Sequence, residues 1–95
     1  MNDKATLYQT LLSLDGEAIR LRKAMKSGPL DEVLDSYDKL IATLMGIRTI
    51  AGSLAELDPE RADCMWAIES KMTADIIRLT RLPAAATAAA AAPGR

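Results

Sequence analysis

The sequence predicts an all-α protein, a three-helix antiparallel bundle with a disordered Ala-rich C-terminal tail, and three observations lead there. Hydrophobic residues fill 49% of the 95 positions, yet Tyr8, Tyr37 and Trp66 are the only aromatics and there is no Phe. The core is therefore built from Leu, Ile, Ala and Met, which suit helices better than sheets. Three segments repeat their apolar residues at steps of three and four, the period of a helix that buries one stripe. Between them stand Ser27-Gly28-Pro29 and Asp58-Pro59, which end one helix and begin the next. The helices are expected at residues 4–26, 30–57 and 59–82, forming one domain over 1–82, with a low-complexity tail over 83–95.

In the first helix Leu7, Leu11, Leu14, Ala18, Leu21 and Met25 form the stripe. Asn2 or Asp3 can accept the free amides at its start, and Lys23 and Lys26 lie at the carbonyl end, where cations oppose the helix dipole. Gly28 supplies a left-handed stop. Pro29 suits the first turn of the second helix, which Asp31, Glu32, Asp35 and Asp38 load with negative charge. Its stripe runs Leu30, Val33, Tyr37, Leu40, Leu44, Ile47, Ala51, Leu54, about four heptads. Gly46 and Gly52 interrupt a good helix former, which predicts a kink or a close backbone approach. Asp58 reads as the N-cap of the third helix, with Pro59 in its first turn, and Met65, Ile68, Met72, Ile76 and Leu79 as its buried face. Pro83 is expected to end it. The Ala-rich stretch beyond has no large side chain to dock, so disorder is expected there, with a frayed helical turn as the alternative.

The same composition removes most function classes. There is no His and one Cys, so triads, Cys–His dyads, His-based metal sites and an intrachain disulfide are excluded, and no enzyme activity, cofactor or metal is expected. The net charge of −1 provides no field to gather polyanions. Arg20, Arg22, Lys23 and Lys26 form one basic cluster, but no aromatics interleave with it, so a solvated face is expected and nucleic acid is not the expected partner. The acidic group Asp31, Glu32, Asp35, Asp38 lacks a cation-wrapping loop and reads as a solvated helix start. The unpaired Cys64, with no base to activate it, reads as a structural thiol in a reducing, cytoplasmic setting. Neither a signal peptide nor a membrane anchor is expected.

What remains is surplus apolar surface. The second helix carries a further row, Leu34, Ile41 and Met45, broken by Arg48. In one reading both rows face neighbouring helices, as in any middle helix of a bundle. In the other, an amphipathic helix of another protein lies across helices 2 and 3. Flexible Met45, Met65 and Met72 would then adapt to it and Trp66 would anchor it. Arg48 would pair with an acid or snorkel outward. The partner-binding set is thus Leu34, Ile41, Met45, Arg48, Met65, Trp66 and Met72. A homodimer closing through the rows of helix 2 is the alternative.

The segment KSGPLDEVLDSYDKLIATL resembles the FliT-type flagellar export chaperones, whose first helix ends at Gly followed by an apolar or aromatic residue and an acid, here Leu30 and Asp31. IESKMTADIIRLTRL is similar to a later stretch of that family through Asp75, Ile77, Arg78, Leu79 and Thr80. The likeness spans residues 7–82. Leu30 stands where the family usually has Trp, and the family's fourth helix has no counterpart but the Ala tail. The resemblance implies a cytoplasmic chaperone that holds a terminal helix of a filament-cap subunit until export, with the export ATPase or a transcriptional activator as further contacts.

Overall fold

A computed structural model describes the backbone of residues 3–91 and the side chains of residues 3–81. It contains α1 (Asp3–Lys26), α2 (Leu30–Leu57), a 3-10 turn (Pro59–Arg61) and α3 (Ala62–Ala91), with no strand among the described residues. The all-α three-helix architecture is the one the periodicity predicts. Gly28 sits at φ 122°, a backbone conformation that L side chains rarely adopt, and this allows the chain to leave α1 and re-enter α2 within three residues.

The stripes meet where their spacing places them, except that Leu30, which opens the α2 stripe, is 70% exposed in the first turn and packs in neither cluster. Leu21, Leu40, Leu44 and Leu54 are the largest fully buried side chains. One cluster joins Ala18, Leu21, Leu40, Leu44 and Ile47 to Met72, Ile76 and Leu79, and a second holds Leu54, Ala55 and Met65. Each large aliphatic side chain so buried contributes about 1.5–3 kcal/mol. α2 is the shared element: α1 and α3 both pack along it, while no Cα of α1 comes within 8 Å of one in α3 among the described residues. The outer helices meet through side chains alone. α2 is also long and apolar enough to cross a membrane by length and composition, and it provides seven of the buried residues here.

Gly46 reflects a close approach rather than a kink, since α2 is continuous and a Cβ at that position would stand 3.2 Å from Leu14 Cδ1. Gly16, in contrast, faces open space, with nothing within 4 Å of a Cβ. Gly16→Ala is therefore expected to stabilise the bundle by about 1 kcal/mol, from helix propensity alone. A thermal melt followed by circular dichroism should rise by about 4–8 °C, and an unchanged midpoint would refute this.

Two details depart from the sequence-based expectations. Asp58 makes no side-chain cap to the helix that follows it; the chain enters α3 through the 3-10 turn, with Arg61 N–H bonded to Asp58 O at 3.0 Å. Its carboxylate is instead buried in a tertiary contact. Pro83 does not end α3, which continues to Ala91. A proline inside a helix leaves the carbonyl four residues earlier without its N–H donor. Here that carbonyl belongs to Leu79, and the Tyr37 hydroxyl of α2 donates to it. With the orphaned acceptor satisfied and strong helix formers following, the helix runs on. Of the tail expected to be disordered, residues 92–95 lie outside the described residues.

Candidate partner-binding face

Leu34, Ile41, Met45, Arg48 and Gly52 follow one another at steps of seven, four, three and four, which places them on one side of α2. Trp66 joins them from α3: a Cβ at Gly52 would stand 4.0 Å from Trp66 Cζ3, so the indole lies over the row where it lacks a side chain. Leu34 is 56% exposed, Met45 48% and Trp66 45%, so the row is not covered by the bundle's own helices. Arg48 is exposed among them. Ile41 is half-buried and packs against the larger core cluster, forming the floor between Leu34 and Met45.

The remaining two residues of the expected set lie elsewhere. Met65 and Met72 are buried, Met65 beside Leu54 and Ala55 and Met72 beside Leu44 and Ile76. Their flexibility fills the core and is not presented on this face. Ile77, which the pattern reading left out, is 45% exposed and lies eleven residues from Trp66 on the same side of α3. The spacing of Trp66, Thr73 and Ile77 at seven and four was the available signal. The face is thus Leu34, Met45, Trp66 and Ile77 around a floor of Ile41, with Arg48 as its charged member.

Polar ties hold α1 away from this face and onto the other side of the molecule. At one end the Tyr8 hydroxyl donates to Asp58 Oδ2 at 2.8 Å, Lys4 and Arg61 approach the same oxygen at 4.0 and 3.5 Å, and the Arg61 guanidinium stands 5.7 Å from the Tyr8 ring centre. The bond to the Asp58 carboxylate holds the Tyr8 phenol above its ordinary pKa, because losing the proton would set an anion against an anion. At the other end Asp75, also buried, takes Arg22 at 3.4 Å and Arg78 at 3.1 Å. Charge-assisted contacts of this kind, shielded on one side, are stronger than hydrogen bonds between neutral groups.

These contacts change the reading of the charged groups. Arg20 is bonded to Glu17, whose carboxyl it holds below the ordinary value, and Arg22 is bonded to Asp75, so half of the basic cluster is already matched by carboxylates. Asp35 pairs with Lys39 at 2.9 Å along the exposed side of α2. Among the described residues no three acidic or thiol groups converge as metal ligands would. Cys64 is exposed rather than packed as a structural thiol. Comparison with family models, curated proteins and solved structures returns no match. The likeness to the FliT-type chaperones therefore stands on the residues quoted for it alone.

Proposed function

We propose that this chain is a cytoplasmic helix-holding adaptor of the export-chaperone kind, which binds the amphipathic terminal helix of a flagellar export substrate such as a filament-cap subunit. The observation that carries the binding role is the exposed apolar row of α2 with Trp66 against it. Four large apolar side chains on two adjacent helices, with a polar surround, have the shape of a groove that accepts one further amphipathic helix. Arg48 would meet an acidic residue flanking the apolar positions of that helix. The flagellar identity of the partner, and any contact with the export ATPase or a transcriptional activator, is supported by the sequence resemblance only. No catalytic role is assigned to any residue, and no cofactor enters the reading.

Trp66 makes the test direct. Titrating the full chain with synthetic terminal helices of candidate export substrates should shift the indole emission as the ring loses water. Met45→Asp should leave the circular dichroism spectrum unchanged, because the side chain is half in solvent. It should weaken helix binding by at least about thirtyfold, the ~2 kcal/mol scale of a central contact. Unaltered affinity in the folded Met45→Asp protein would refute the docking face. Loss of the helical spectrum would place Met45 in the core and refute it equally.

A further inference from the structure

α1 and α3 leave a window on another side of the molecule. It holds about 280 Å³ and is lined by Leu11, Leu12 and Asp15 of α1, Ile47 of α2, and Ile68, Lys71 and Met72 of α3. Ile47 lies nearly opposite Met45 around α2, so the window and the docking face are separate surfaces. The Tyr8–Asp58 tie closes one end and the Arg22–Asp75 tie the other. The floor is apolar, whereas the two walls bear opposite charges, Asp15 on α1 and Lys71 on α3. Both are exposed, and neither takes part in an ion pair among the described residues.

We propose that this window is a self-association surface, occupied by a second copy of the chain placed face to face about a two-fold axis running along the helices. α1 and α3 point the same way, both antiparallel to α2. An axis along them sets α1 of each copy over α3 of the other. Asp15 then meets Lys71 of the partner subunit, and the symmetry repeats the pair. An axis across the helices would instead lay α1 on α1 and bring the two copies of Asp15 together, which like charge disfavours. The flank of α1 that faces the partner also carries Leu12, 72% exposed, and Ile19, 49% exposed, which flank Asp15 at i−3 and i+4. These are exposed apolar groups that the opposite copy would cover, Leu12 on the rim of the window and Ile19 beyond it. The assembly covers the half-buried Leu11 and Ile68 and the exposed Leu12 along the rim of the window, setting one three-helix layer against another.

Sedimentation of the full chain over a wide concentration range at low ionic strength tests this. A monomer–dimer equilibrium is expected. Lys71→Glu and Asp15→Lys should each raise the dissociation constant by about tenfold or more, since two symmetry-related attractions become repulsions. The double variant Asp15→Lys with Lys71→Glu should restore dimerisation. Both sites are exposed, and circular dichroism checks that each variant is folded; should a reversal fail to fold, Asp15→Asn and Lys71→Gln should each weaken the dimer in the same direction. A monomer at all concentrations, a dimer indifferent to both substitutions, or a double variant as weak as the singles would overturn the proposal. Met45→Asp should leave the dimer intact; its loss there would move the interface to the α2–α3 face and overturn the window instead.

Discussion

Leu44→Asp is expected to abolish the folded state. Leu44 is 1% exposed and lies at the centre of the larger cluster, among Leu21, Leu40, Met72 and Ile76. The substitution removes a packed aliphatic group and sets an ionisable one in its place, with no cation among the cluster residues to meet it. The penalty exceeds several kcal/mol, against a total of about 5–15 kcal/mol for a domain of ordinary stability. Thermal and denaturant scans should show no cooperative transition. Leu44→Ala gives the graded version, a loss of about 2–5 kcal/mol. The comparison with Met45→Asp is the informative one, because the same charge one residue further round the helix should leave the fold standing. A two-state melt for Leu44→Asp would mean that the central stripe is not the core.

Tyr37→Phe is expected to cost about 1–3 kcal/mol, the penalty of leaving a shielded carbonyl without a donor. The carbonyl is that of Leu79, which has no helical partner because residue 83 is proline. The effect should depend on that proline. In a Pro83→Ala background the backbone N–H of residue 83 can bond Leu79 O itself, so Tyr37→Phe should cost markedly less. A double-mutant cycle on these positions, read by denaturant unfolding, measures the coupling. Equal costs in the two backgrounds would show that the hydroxyl does not substitute for the missing amide. Loss of helical signal in Tyr37→Phe beyond the change in stability would show that the contact also sustains α3 past the proline.

The elements were legible because their signals are local. Gly28 and Pro29 determine where α1 stops and α2 starts through backbone geometry alone, and the aliphatic steps of three and four reveal which residues are inside. What escaped was relational. Asp58 has the residue type and position of a cap, and only the approach of Tyr8, fifty residues away in sequence, turns its carboxylate to another use. Pro83 reads as a stop unless a donor from a second helix is known to be waiting. Within the candidate face, Leu34, Met45, Arg48 and Trp66 follow from periodicity and composition. Met65 and Met72 fall on the buried face that the spacing of α3 predicts; only their flexibility pointed to a partner, and flexibility is a property of the residue type that does not decide exposure.

Helices with heptad stripes have an ambiguity that apolar packing cannot remove, since sliding one of them by seven residues matches Leu to Leu again. The ties at Tyr8 and Arg22 are fourteen residues apart on α1, two heptads, and Asp15 lies midway between them. A slip of α1 by one heptad in one direction would bring Asp15 to the level of Asp58, and a slip in the other direction would bring it to Asp75. Either error sets two carboxylates together at a shielded site, where the native alignment has a phenol or a guanidinium. A single acidic residue thus marks both wrong alignments of the first helix, and the native one is the register that keeps it clear of both carboxylates.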